Sequence, residues 1–62
     1  MYRILVADDE GIMLEAFKNV ISSTFGDSGI VETAKTGRAV TEIAETFHPD
    51  IVFMDIHMPG IN

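Results

Sequence analysis

Asp8 and Asp9 are adjacent, and Asp55 follows 47 positions after Asp8. Carboxylates hold hard cations through oxygen, move protons, or attack as nucleophiles. Asp8 ends the apolar run Ile4-Leu5-Val6-Ala7, and Asp55 ends the run Ile51-Val52-Phe53-Met54. A short, uninterrupted apolar run suits a strand covered on both faces. If these two strands are neighbours, they lie about 4.8 Å apart, and the acids at their ends meet. Carboxylates brought together repel unless a cation intervenes. Mg²⁺ fits that need, because it takes one or two carboxylates and keeps waters for a phosphate-bearing substrate. Catalysis of phosphoryl transfer is mostly positioning and charge neutralisation, and a carboxylate nucleophile gives an aspartyl phosphate. Asp55 is the candidate nucleophile, since Asp8 and Asp9, side by side on one turn, suit metal binding better.

The intervening sequence must position these acids. Met13, Leu14, Phe17, Val20, Ile21 and Phe25 recur at helical spacing. Asp9 and Glu10 stand at that helix's start, where its dipole favours acids. Gly26-Asp27-Ser28-Gly29 is a turn before a weaker strand, Ile30 to Ala34. Ala39, Val40, Ile43, Ala44 and Phe47 form a second helical stripe, with Thr36 as its N-cap. His48-Pro49 ends it, because the residue before proline avoids helical geometry. The predicted order is βαβαβ, an α/β arrangement. Right-handed crossovers cover both faces of the first strand if the second strand lies on one side of it and the third on the other. That gives a parallel sheet of order 2-1-3, the start of the flavodoxin-like order, with its crevice between strands one and three.

Composition narrows the class. The chain has 62 residues, 47% of them apolar, so one small domain is expected. A chain of this size buries only about 60% of its unfolded surface, so stability should be marginal. It has no cysteine to form a disulfide or thiolate metal site. No run of eighteen apolar residues suggests a membrane span, and the short apolar start lacks a signal peptide's length. A cytoplasmic location is expected. Ten acids against four bases leave a net charge of −6. That opposes nucleic-acid binding by this segment, since phosphate contacts need clustered Lys and Arg.

Ile4-Leu5-Val6-Ala7-Asp8-Asp9-Glu10 resembles the opening strand and acidic pair of response-regulator receiver domains. His48-Pro49-Asp50-Ile51-Val52-Phe53-Met54-Asp55-Ile56-His57-Met58-Pro59-Gly60 resembles their third strand and following loop. The resemblance covers residues 1–62. It implies that Asp55 accepts a phosphoryl group from a phosphohistidine on a sensor histidine kinase. It implies that Asp9 binds Mg²⁺ directly, Asp8 largely through water, and that Asp55 and the backbone carbonyl of His57 complete the protein ligands. Met58-Pro59-Gly60 would shape the loop beside the phosphoryl group. A whole receiver adds two strands and three helices, with a Ser or Thr and a Lys that contact the phosphoryl group. The chain reads as the N-terminal half of such a domain, since Lys18 lies inside the first helix and Lys35 is placed away from the crevice. Thr36-Gly37 and the ending at Asn62 look most like regulators with an AraC-type helix-turn-helix output. Such an output domain, rather than this segment, would bind DNA.

Simpler readings apply to several residues. Acids at strand ends are often solvated turn residues, and Glu10 reads as a helix-start acid. His48 reads as a loop residue, and the side chain of His57 is not expected to bind metal. Met13, Met54 and Met58 read as core or loop packing. Two rival functions are an Mg²⁺-dependent phosphatase with an Asp nucleophile, and a half-domain that self-associates without phosphotransfer. Haloacid-dehalogenase-like phosphatases carry Asp-x-Asp after the first strand, whereas Asp8-Asp9 here are adjacent. The chain is therefore expected not to be an enzyme. The unpaired outer edge of Ile51 to Met54 predicts a homodimer or higher assembly.

Overall fold

The computed structural model describes residues 1–58. The elements are β1 (Tyr2–Ala7), α1 (Gly11–Phe25), a 3₁₀ turn (Gly26–Ser28), β2 (Gly29–Ala34), α2 (Gly37–Phe47) and β3 (Ile51–Met54). The three strands form a parallel sheet of order β2-β1-β3, as the apolar pattern of β1 requires. β1 begins at Tyr2, two residues before its apolar run. The Tyr2 ring meets Phe25 edge-on at 5.5 Å, so packing extends the strand past its apolar residues.

Successive side chains of β1 alternate between two half-cores. Ile4 and Val6 meet Leu14, Ile21 and Phe25 of α1, with Val31 and Ile51 beside them. Leu5 and Ala7 meet Ala34, Met58 and the α2 residues Ala39, Val40 and Ile43. Ile4 and Leu5 are 0% exposed. An alternating strand could not fill both layers, which is why every position from Ile4 to Ala7 is apolar.

The helices end where the sequence signals them. Thr36 Oγ1 accepts a hydrogen bond from Ala39 N at 3.0 Å, capping α2. His48 closes α2 in the left-handed region at φ 50°, and its N–H donates to Ala44 O at 3.2 Å. Gly26 ends α1 at φ 55°, where a side chain would be strained. At Gly29 a Cβ would fall 2.8 Å from Phe25 Cβ, so β2 approaches α1 only without a side chain. The start of β3 is clamped to β1. Arg3 N donates to Asp50 Oδ2 at 2.8 Å, Asp50 N donates to Arg3 O at 2.7 Å, and Arg3 Nη1 donates to Phe47 O at 3.2 Å.

Two expectations about packing need correction. Val52, Phe53 and Met54 are 39–42% exposed, because β3 is an edge strand among the described residues. The apolar residues of α1 do not form one buried stripe. Leu14 and Ile21 are buried, while Met13, Phe17 and Val20 are exposed. Those three recur at helical spacing as a second stripe, and Phe17 shares a cavity with Phe53 and Met54. Of the methionines assigned to packing, Met58 is buried, whereas Met13 and Met54 are exposed. Pro59 and Gly60 of the proposed loop lie outside the described residues. No helix among the described residues is long and apolar enough to cross a membrane.

Candidate functional site

The acids gather where β1 and β3 end. Asp8 directly follows β1 and is buried. Its N–H donates to Ala34 O at 3.1 Å, extending the pairing of β1 with β2 by one bond. Its Oδ1 accepts from Glu10 N at 2.9 Å. This local bond turns the chain out of the strand and towards α1. Asp9 is exposed within that turn.

Asp55 directly follows β3 and is half-buried. Ala7 pairs with Met54, so the residues after them, Asp8 and Asp55, emerge side by side. Asp55 N donates to Ala7 O at 3.1 Å, and Asp55 Oδ1 accepts from His57 N at 2.9 Å. Met58 N donates to the Asp55 main-chain carbonyl at 3.3 Å, which closes the turn after β3. Asp8 and Asp55 both line a cavity of about 330 Å³ with Val6, Ala7, Phe17, Phe53 and Met54. The cavity is apolar apart from its acids, and it opens on the α1 side of the sheet between β1 and β3.

Glu10 stands at the start of α1, as expected, and its carboxylate also lies close to those of the two aspartates. It is the N-cap of α1, yet its side chain makes no capping hydrogen bond. Its carboxylate instead lies in a group with those of Asp8 and Asp9, with oxygens all within 4.8 Å of one another. Asp55 stands outside that tight group and shares only the cavity with Asp8. The three consecutive acids were the available signal; what separates a capping acid from a clustering one is the rotamer, which spacing does not encode.

Lys35 stands beyond β2, as expected, and does not line the cavity between β1 and β3. Ala34 pairs with Ala7, so β2 ends level with β1 and the next residue stands at the crevice end of the sheet. A Cβ on Gly11 would lie 3.7 Å from Lys35 Nζ, which places the ammonium beside the start of α1. Lys18, by contrast, lies well inside α1, as expected.

The donor set suits a hard cation. Asp8, Asp9 and Glu10 offer only carboxylate oxygens, and the chain has no thiolate to compete. The His57 backbone, not its ring, holds the Asp55 carboxylate.

Comparison with known proteins identifies the family. The family model for the response regulator receiver domain matches residues 4–62. The glycerol metabolism activator of Pseudomonas putida is 37% identical over 62 residues, which is 100% of this chain and 28% of that protein. The nitrate/nitrite response regulator protein NarL of Escherichia coli K12 is 36% identical over 59 residues, 95% of this chain and 27% of NarL. A protein-glutamate methylesterase/protein-glutamine glutaminase of Thermotoga maritima is 40% identical over 60 residues, 97% of this chain and 17% of that protein. The chain thus spans less than a third of the length of these relatives. No solved structure matches it. The βαβαβ order, the acids gathered at its crevice and the family match over residues 4–62 together establish that the chain belongs to the response regulator receiver domain family, the receiver module of two-component systems.

Proposed function

We propose that Asp55 is the phosphoacceptor of a phosphorelay. The observation that carries this is the pairing of Ala7 with Met54, which sets Asp55 beside Asp8 on one cavity wall. An Asp55 carboxylate oxygen attacks the phosphorus of a phosphohistidine on a sensor histidine kinase. The N–P bond breaks, an acyl phosphate forms on Asp55, and the histidine nitrogen keeps the electron pair and takes a proton. His57 N orients the carboxylate through its 2.9 Å bond to Oδ1. Mg²⁺ when bound supplies the charge neutralisation that phosphoryl transfer requires. Asp9 would hold it directly, Asp8 largely through water, with Asp55 and the His57 carbonyl completing the protein ligands; the all-oxygen acid group supports this set.

The chain serves as the first half of a receiver whose remaining two strands and three helices supply the Ser or Thr and the Lys of the complete site. Its output is a transcription-regulating, DNA-binding domain in the cytoplasm, a reading supported by the naming of one relative as an activator of glycerol metabolism. The segment itself is a signalling module without turnover of its own. Receiver membership weighs against the phosphatase reading.

The test is incubation of the full-length protein with a small acyl phosphate and Mg²⁺, followed by intact mass measurement and peptide mapping. A single hydroxylamine-labile phosphoryl group on Asp55, not formed when Mg²⁺ is chelated before the donor is added, is the expected result. The 62-residue segment alone should label weakly, since it holds only one side of the site. A label on another residue, or one indifferent to Mg²⁺, would overturn the assignment.

A second reading rests on the β3 edge. Val52, Phe53 and Met54 leave an apolar, unpaired strand edge among the described residues. Such an edge templates pairing with another chain. The isolated segment is therefore expected to sediment as a homodimer or larger species at micromolar concentration, and a monodisperse monomer would count against it.

A further inference from the structure

Lys35 occupies a place that helix stability does not explain. Its Nζ stands 3.7 Å from where a Gly11 Cβ would be, at the N-terminal start of α1. The positive end of a helix dipole repels a cation there. The compensating charges are the acids of Asp8, Asp9 and Glu10, whose oxygens cluster within 4.8 Å at the same corner. The bond from Asp8 N to the carbonyl of the preceding Ala34 holds the Lys35 backbone at this corner, within a side chain's reach of the acids. Yet Lys35 forms no ion pair with any one acid: among the described residues the salt bridge formed is Arg38 with Glu42. Its charge is thus shared by the cluster rather than committed to a partner.

We infer that Lys35 sets the Mg²⁺ affinity of the acid group, acting as a tethered monovalent competitor beside it. With the group empty, the ammonium partly offsets the mutual repulsion of the acids. A divalent ion entering the group meets that ammonium as a like charge, which weakens binding. The effect is Coulombic and local, so it depends on the charge at position 35 rather than on side-chain shape. If the ammonium and a bound divalent ion lie about 9–12 Å apart in a water-like medium, the unit charge changes binding about three- to fivefold. This inference rests on the metal reading proposed above, and the experiment separates the two.

Mg²⁺ binding would be measured by isothermal titration calorimetry on the full-length wild-type protein and its Lys35→Gln, Lys35→Glu, Lys35→Arg and Lys18→Gln variants. At low ionic strength, Lys35→Gln should tighten Mg²⁺ binding about three- to fivefold, and Lys35→Glu should tighten it further. Lys35→Arg should match the wild type, which a purely steric role would not predict. Lys18→Gln removes the same charge from the middle of α1, seven residues beyond Gly11 and about 10 Å along the axis, and should change little. In 1 M salt, where the screening length is about 3 Å, the differences should collapse. A full-length wild-type protein that binds no Mg²⁺ overturns the metal reading and this inference with it. Binding by the wild type that Lys35→Gln and Lys35→Glu leave unchanged overturns the inference alone. Equal tightening by Lys18→Gln would also overturn it, by showing a general effect of net charge.

Discussion

Asp55→Asn is expected to abolish Mg²⁺-dependent phosphoryl acceptance by the full-length protein while leaving the fold intact. The amide is neutral and cannot supply the anionic oxygen that attacks phosphorus. The substitution is nearly isosteric, and the asparagine oxygen can still accept the bond that His57 N now donates to Asp55 Oδ1 at 2.9 Å. The backbone bond from residue 55 N to Ala7 O at 3.1 Å does not involve the side chain. The strand end and its loop should therefore keep their places, and circular dichroism should be unchanged. Acceptance should fall to the background of the unphosphorylated control, measured as labelling by a small acyl phosphate. Mg²⁺ affinity should fall as well, because one carboxylate beside the acid group has lost its charge. Undiminished labelling of the variant would show that another residue is the nucleophile, and Asp8, on the same cavity wall, would be the first to examine.

Leu5→Ala is expected to remove most of the chain's stability. Leu5 is 0% exposed and lies on the α2 side of β1, where Ala7, Ala34 and Met58 surround it with Ala39, Val40 and Ile43. Ala7, Ala34 and Ala39 have no longer side chain with which to close a void. Truncating a buried leucine costs about 2–5 kcal/mol, more where the site cannot collapse. A domain of 62 residues has a total stability of only about 3–9 kcal/mol at typical values per residue. Urea denaturation followed by far-UV circular dichroism should show the midpoint falling by about 2 M or the cooperative transition vanishing. Leu5→Met keeps the volume and should cost less than about 1.5 kcal/mol. A midpoint for Leu5→Ala within error of the wild type would mean that β1 is not the centre of the core.

These expected results draw on different amounts of what the sequence shows. The unbroken apolar run Ile4 to Ala7 required a strand covered on two sides, and the sheet order β2-β1-β3 follows from it. Thr36, Gly26 and His48-Pro49 marked their boundaries because capping and breaking are local chemistry, set by residues within one turn. The same reasoning located α1 but did not say which of its apolar residues are buried. Leu14 and Phe17 are equally apolar and both fit helical spacing, but one is buried and the other exposed. Which apolar stripe of a helix meets the sheet depends on what else covers it, and periodicity carries no information about neighbours distant in the chain.

The site divides along the same line. Residue type alone determined that Asp8, Asp9 and Asp55 are oxygen donors, that they end apolar strands, and that their chemistry is suited to a hard cation and a phosphoryl group. Tertiary structure decided which acids approach one another. The register of Ala7 with Met54 placed Asp55 on the cavity wall with Asp8, while the rotamer of Glu10 drew it into the tight group that Asp55 does not join. It also brought Lys35 to the start of α1, because β2 and β1 end level. Strand identity is a property of a few consecutive residues. Register and side-chain direction are settled by packing between segments dozens of residues apart, where small free-energy differences select one arrangement from several that the same pattern allows.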